Sequence, residues 1–138
     1  MFKQYFSIAL LFLLAACSGS GSDQKTAFIG KWFDTNPENV TNSMEIEANG
    51  EVLLVKQHKT NQFTRPAFVN ITVPATVKDG VMRLENSGSA PFTIDKATGH
   101  LKGLEGEFVR ATPELEKKAK AAQARAEKPM ANAFARPQ

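Results

Sequence analysis

Apolar and polar residues alternate through the middle of the chain, in short runs separated by turn-forming residues. The run from residue 43 to residue 48 shows the pattern most clearly, because every second side chain is apolar. Its apolar face holds Met44, Ile46 and Ala48, and its polar face holds Ser43, Glu45 and Glu47. A period of two is typical of a β-strand that buries one face and exposes the other.

Further runs of strand composition follow one another at intervals of roughly ten residues, giving about eight short strands in all. The other runs are Phe28–Phe33, Glu51–Lys56, Phe68–Val77, Val81–Glu85, Pro91–Asp95, His100–Leu104 and Glu107–Arg110. Asn49-Gly50 and Asp79-Gly80 are suited to two-residue hairpins, which need positive φ angles. Pro74 has no N–H to donate, so it marks a bulge, a bend or a sheet edge.

Strands that follow one another through short turns favour an antiparallel meander, and a long meander must close or stack to protect its edges. We therefore predict an all-β domain over residues 28–112, a small antiparallel up-and-down β-barrel. Eight strands enclose enough room for their own side chains or for one small ligand. Phe28, Phe92 and Phe108, with Phe68 or Val69, are expected to fill that interior.

Gly30-Lys31-Trp32 in the first strand and Arg110 in the last resemble the pattern of lipocalins and other calycins. The resemblance covers residues 28–112, and the short bacterial domains called lipocalin-like are closest in length. It implies that Trp32 closes one end of the barrel and that Arg110 packs across it. A ligand-binding cup of this kind would be lined by Trp32, Phe68, Phe92, Phe108 and Arg110.

The composition changes at Pro113, where a basic, Ala- and Lys-rich segment begins and continues to residue 138. Thr112 can cap a helix, Pro113 suits its first position, and Glu114 and Glu116 suit its positive end. The apolar face of this helix is narrow and mostly alanine, so little of it can be buried. We expect an exposed, partly frayed helix, with a disordered tail from Pro129 to Gln138.

The first 16 residues have the layout of a signal peptide, with Lys3 before an apolar run that is too short to span a membrane. Leu14-Ala15-Ala16-Cys17 resembles the lipobox of bacterial lipoproteins. The resemblance implies cleavage before Cys17, a diacylglyceryl group on its thiol and a fatty acyl group, such as palmitate, on its amino group. Residues 17–27 would form a flexible linker. Ser18, which is not Asp, points to the outer membrane, facing the periplasm.

The charge of the chain is unevenly distributed. Between Cys17 and Thr112 there are 10 Lys and Arg against 11 Asp and Glu, whereas from Pro113 to Gln138 there are 6 against 3. A nearly neutral domain lacks the basic stripe that nucleic-acid binding requires. Three interpretations of the basic tail stay open: contact with anionic lipid head groups, contact with the peptidoglycan or a protein partner, or a solvated segment that keeps the protein soluble.

No arrangement of residues in the sequence indicates catalysis, a cofactor or a metal. His58 and His100 are far apart and have no Cys or acidic residue at ligand spacing. We therefore expect a non-enzymatic binding or assembly module, held at the cell envelope by its lipid anchor and contacting a protein partner there. Two alternatives stay open: a carrier of a small apolar ligand, and an enzyme inhibitor that uses the loop from Lys59 to Arg65.

Overall fold

Eight antiparallel strands form a closed barrel in the computed structural model, which describes residues 21–60, 68–85 and 91–127. Each strand pairs with the next along the chain, and the last pairs with the first. The strands are β1 Gly30–Asp34, β2 Ser43–Asn49, β3 Val52–Thr60, β4 Phe68–Lys78, β5 Val81–Leu84, β6 Phe92–Ile94, β7 Leu101–Gly103 and β8 Gly106–Arg110. Two α-helices, α1 Gly21–Thr26 and α2 Pro113–Glu127, flank the barrel, and Pro37–Asn39 form a 3-10 turn. The predicted all-β barrel with a C-terminal helix is confirmed.

The hairpin turns show which residues supply the positive φ angles. Asp79 and Gly80 have φ of 53° and 73° and connect Lys78 to Val81, as the sequence predicts. In the β2–β3 hairpin, however, Asn49 pairs with Val52, so the two loop residues are Gly50 and Glu51. Only Gly50 has a positive φ there, 61°. The prediction of an Asn49-Gly50 turn is wrong by one residue, because a turn with glycine first also fits a two-residue hairpin.

The core lies inside the barrel and is built from alternate side chains of all eight strands. Its fully or nearly buried members are Phe28, Trp32, Met44, Ile46, Leu53, Val55, Ala75, Met82, Leu84, Phe92, Leu101 and Phe108. Met44 and Ile46 confirm the predicted inner face of β2, but Ala48 is exposed. Ala48 lies next to the hairpin, opposite the buried Leu53 of β3.

The barrel wall is much taller on one side than on the other. Strands β2, β3 and β4 have 7, 9 and 11 residues, whereas β5, β6 and β7 have 4, 3 and 3. Pairing between β4 and β5 extends only over Ala75–Lys78, and the Pro74 carbonyl accepts one further hydrogen bond from Glu85. Pro74 was predicted to mark a bulge, a bend or a sheet edge, and the structure shows that it lies where an edge of β4 begins.

The two ends of the barrel differ. We call the end with the β2–β3, β4–β5 and β6–β7 turns the closed end, and the end with the β7–β8 turn the open end. Helix α1 lies at the closed end, where the Gln24 side chain accepts a hydrogen bond from the Gly80 N–H and Lys25 pairs with Glu51. Residues 21–26 were predicted to belong to a flexible linker. These tertiary contacts favour a helix instead.

Helix α2 begins where the sequence predicts. The Thr112 hydroxyl accepts a hydrogen bond from the Leu115 N–H at 3.2 Å, and Pro113 is the first helical residue. The helix lies beside the outer face of β1, where Lys31 and Glu116 form an ion pair at 3.8 Å, but none of its residues is buried. Across the described ranges, neither helix has the length and apolar character needed to cross a membrane.

Several predicted features lie outside the described residues. These are the signal peptide (residues 1–16), Cys17 with its lipobox, residues 61–65 of the proposed inhibitor loop, and the tail from Pro129 to Gln138.

Candidate functional site

The interior of the barrel is filled by its own side chains. Trp32, Met82, Phe92 and Leu101 are completely buried. Packing is tight enough that a Cβ atom built on Gly103 would lie 2.6 Å from two atoms of the Phe92 ring. Methylene-sized additions are poorly tolerated in such an interior. A ligand inside the barrel would therefore have to displace core side chains.

The five residues predicted to line a cup are distributed over three places. Trp32, Phe92 and Phe108 meet in the core, where the Phe92 and Phe108 ring centroids lie 6.5 Å apart. Arg110 lies at the closed end. Phe68 is on the outer face of β4, where its ring stacks on His58 with centroids 5.1 Å apart. The structure brings together three of the five residues, as packing partners, and leaves Phe68 outside the barrel.

Trp32 and Arg110 form a compact arrangement at the closed end. The Arg110 guanidinium lies over the Trp32 ring, 4.3 Å from its centroid, and donates hydrogen bonds to the carbonyls of Ile29 and Ala27 at 2.9 and 2.6 Å. The Trp32 indole N–H donates to the Phe28 carbonyl at 2.9 Å. A Cβ atom on Gly30 would lie 2.9 Å from Arg110 Nη1, so the glycine leaves room for the guanidinium. These contacts fasten the segment entering β1 across this end.

At the open end, an ion pair spans the mouth of the barrel. Lys59 Nζ on β3 lies 2.5 Å from a carboxylate oxygen of Glu105 on the β7–β8 turn, across from it. Beneath the pair is a small pocket of about 140 Å³, whose lining includes Met44, His58 and Phe108. Both charged side chains are partly exposed, so the pair contributes little to stability. Its effect is to join the tall and the short sides of the wall.

Two large apolar side chains are exposed at the open end. Leu104, at the tip of the β7–β8 turn, is 87 % exposed, and Ile71, on β4, is 42 % exposed. They are the exposed large hydrophobic residues within the described part of the chain. Both are close in sequence or register to the Lys59–Glu105 pair, since Leu104 precedes Glu105 and Ile71 is opposite Gln57. Both therefore lie at the end of the barrel that carries this ion pair.

A groove of about 390 Å³, lined by both polar and apolar side chains, runs between α2 and the outer face of β1–β4. Its lining includes Phe33, His58 and Asn70, with Lys31 and Glu116 at its border. His58 Nδ1 hydrogen-bonds Asn70 Oδ1 at 2.6 Å, and His58 Nε2 is shielded from solvent without a partner among the described residues. The mixed charges of this groove do not select one class of ligand.

The clearest electrostatic effects lie at the closed end and on the outer wall. A hydrogen bond from Lys102 at 2.6 Å, helped by the Ala97 N–H, lowers the pKa of Asp95, and the same bond raises the pKa of Lys102. On the outer wall, a hydrogen bond to Glu47 at 2.8 Å raises the pKa of Lys56. Both ion pairs are partly exposed; one joins β2 to β3, and the other joins β7 to the β6–β7 turn.

The two histidines are held by separate partners. His58 bonds Asn70 on the outer wall, and His100 contacts the Glu107 carboxylate. Within residues 21–60, 68–85 and 91–127, no three His, Cys, Asp or Glu side chains are grouped as metal ligands would be.

The sequence interpretation missed the main features of the open end. Lys59 and Glu105 are 46 residues apart, and nothing local signals their contact. The position of Phe68 did have a signal: alternation from Val73 back through Ile71 and Val69 puts Phe68 on the opposite, outer face.

The resemblance to lipocalins implied a tryptophan that closes one end of the barrel and an arginine packed across it. Trp32 and Arg110 have that relationship, and a closed eight-stranded meander is consistent with a lipocalin-like barrel. Comparisons with protein-family models, curated proteins and solved structures give no match for this chain.

Proposed function

We propose that this protein is an envelope lipoprotein, anchored through acylated Cys17 in the outer membrane, whose barrel is a non-catalytic binding module in the periplasm. The lipobox residues Leu14 to Cys17 support the anchor. Two acyl-bearing groups on one residue hold a protein to a bilayer more stably than a single chain does.

The position of α1 suggests how the anchored barrel is oriented. Only residues 18–20 separate Cys17 from α1, and α1 is fastened to the closed end through Gln24 and Lys25. Three extended residues span roughly 10 Å. With Cys17 in the membrane, the closed end would therefore lie near the head groups. The open end would point into the periplasm, where a partner can reach it.

The filled interior is the observation that carries the binding-module proposal. Because core side chains occupy the barrel, recognition falls to its outer surface rather than to a cup. The open end offers Leu104 and Ile71, two exposed apolar side chains beside a charged pair. Apolar groups flanked by charged ones are typical of protein contact surfaces.

The anchor is tested by comparing the native chain with Cys17→Ser in cells fed an alkyne-labelled fatty acid. We expect the native chain to carry the label and to sediment with outer membranes, and Cys17→Ser to be unlabelled and released. An unlabelled native chain, or a Cys17→Ser variant that stays with the membrane, would contradict the anchor.

The binding surface is tested separately, by placing a photo-crosslinking amino acid at Leu104 or at Lys96 in the full chain. Lys96 is the matched control because it is exposed on the β6–β7 turn, at the opposite end. We expect a discrete adduct with an envelope protein from Leu104 and none from Lys96. The same adducts from both positions, or none from Leu104, would count against the open end as the binding surface.

A further inference from the structure

Among the described residues, one strand of the barrel is paired on one side only over much of its length. Strand β4 pairs with β3 from Phe68 to Ala75, but its pairing with β5 begins only at Ala75. We call the segment Phe68–Val73 the β4 edge. No strand in the described part of the chain pairs with the β4 edge on the side of β5. An unpaired edge of this length is a template for another strand.

The direction of the backbone groups follows from the neighbouring bonds. The Pro74 carbonyl points to β5, where it accepts from the Glu85 N–H. Alternate residues of a strand point their N–H and C=O groups to the same side. The backbone groups of Thr72, Asn70 and Phe68 therefore point away from β3, toward the unpaired side. They form a regular row of donors and acceptors.

The β4 edge lacks the features that usually prevent association. Edge strands are commonly protected by charged side chains, bulges or shortness. The chain from Phe68 to Val77 contains no charged residue, and its register with β3 continues without a bulge. Pro74 directly follows the β4 edge, so all six residues of the edge keep their backbone N–H groups. Ile71, on the inner side, is 42 % exposed.

We propose that the β4 edge pairs with the β4 edge of a second copy of this chain, antiparallel and about a two-fold axis. Placing Asn70 opposite Asn70 of the second copy sets Phe68 opposite Thr72 and Ile71 opposite Val69. The three residues whose backbone groups point away from β3 then all exchange hydrogen bonds with the second copy. Ile71 is covered by the apolar Val69 of that copy. The next register would put Pro74, which has no N–H, opposite Phe68. The uncharged segment makes self-pairing free of like-charge repulsion.

This inference goes beyond the proposed function, because it requires neither the anchor nor a different partner protein. The chain has one cysteine, so Cys17→Ser gives a full chain without thiols into which single cysteines can be placed. In the proposed register, the Cα atoms of the two Asn70 residues lie about 5.5 Å apart, within the range of a disulfide. Thr76→Cys is the matched control, since Thr76 is exposed on the same strand but its segment pairs with β5.

We expect Asn70→Cys to form a disulfide-linked dimer ~10-fold faster than Thr76→Cys, because pairing raises the local thiol concentration. We also expect the thiol-free chain to show a concentration-dependent monomer–dimer equilibrium in sedimentation equilibrium. Equal cross-linking rates, or a chain that stays monomeric at the highest soluble concentration, would overturn the proposal.

Two variants separate edge pairing from other association at the open end. Thr72→Pro removes an edge N–H without touching the bonds to β3, and Ile71→Lys places a charge in the proposed contact. Each is expected to abolish dimerisation. Leu104→Lys, also at the open end but on the β7–β8 turn, should leave the dimer intact. If Thr72→Pro fails to fold, Ile71→Lys decides. Dimerisation that survives Ile71→Lys, or that is lost in Leu104→Lys, would refute pairing through the β4 edge.

Discussion

The guanidinium of Arg110 lies over the ring of Trp32, 4.3 Å from its centroid, and so connects the last strand of the barrel to the first. Trp32 is completely buried, whereas Arg110 is on the surface, and the arginine also binds two backbone carbonyls in the segment before β1. Closure of the barrel therefore depends on side-chain contacts as well as on the β1–β8 ladder.

Removing this arginine should weaken the barrel. We expect Arg110→Ala to lower the free energy of unfolding by about 2 kcal/mol, through loss of the cation–π contact and of two charge-assisted hydrogen bonds at a partly screened site. Arg110→Lys should recover only part of that loss, because an ammonium cannot reproduce the planar fork. Urea unfolding of the purified protein measures both.

The matched control for Arg110→Ala is Arg83→Ala. Arg83 is an exposed arginine on β5, and surface substitutions of this kind usually change stability by less than about 0.5 kcal/mol. If Arg110→Ala cost no more than Arg83→Ala, the contact with Trp32 would have no role in closing the barrel.

Much of the fold follows from local sequence. Period-two alternation and regularly placed turns are enough to predict eight sequential strands, and Thr112 with Pro113 marks the start of α2. The helix α1 could not be predicted in this way. Its six residues, rich in turn formers, are helical because Gln24 and Lys25 contact the β4–β5 and β2–β3 hairpins, which lie far along the chain.

The candidate site was harder to predict than the fold. Alternation shows which face of a strand is apolar, but it does not show where a neighbouring strand ends. Ile71 looks like a core residue in the sequence, and it is exposed because β5 is too short to cover it. The Lys59–Glu105 pair depends on the closure of the whole barrel, so no short stretch of sequence contains it.

The contact between Gly103 and Phe92 gives a test of the filled interior. A Cβ atom at position 103 would lie 2.6 Å from two atoms of the Phe92 ring, so Gly103→Ala should cost about 1–3 kcal/mol of unfolding free energy. Phe92→Leu alone should also destabilise, by removing buried ring atoms.

In the double variant, the smaller leucine should make room for the alanine. We therefore expect Phe92→Leu with Gly103→Ala to lose less stability than the two single changes together, as measured by a double-mutant cycle in urea. Strict additivity would show that the two residues are not packed against each other, and that the interior can accept added atoms.

The Asp95–Lys102 pair should make stability depend on pH at the acid end. The pKa of Asp95 is lowered in the folded protein, so its contribution is fully present above the unfolded value of about 3.9. That contribution is lost as the pH falls through the lower folded pKa. The pKa of Lys102 is raised, so the same pair also weakens at high pH, as the pH rises through the folded value.

Asp95→Asn isolates the acid part of this dependence. Its amide oxygen can still accept the Ala97 N–H bond, so the turn keeps its local geometry. We expect the native chain to be more stable than Asp95→Asn at pH 7, and the difference in urea midpoint to shrink as the pH is lowered below 4. A difference that stays constant from pH 7 to pH 2.5 would show that Asp95 does not titrate with folding.

The cap of α2 provides a test of how loosely that helix is attached. The Thr112 hydroxyl accepts the Leu115 N–H, and none of the helix residues is buried, so packing cannot replace a lost cap. Thr112→Ala should cost the first turn about 1 kcal/mol, which corresponds to roughly fivefold faster amide exchange at Leu115 and Glu116. Thr112→Ser keeps the oxygen and should exchange like the native chain. Because no residue of α2 is buried and its ion pair with Lys31 is exposed, the urea midpoint of the barrel should not change. A matching loss of barrel stability in Thr112→Ala would show instead that α2 and the barrel unfold as one unit.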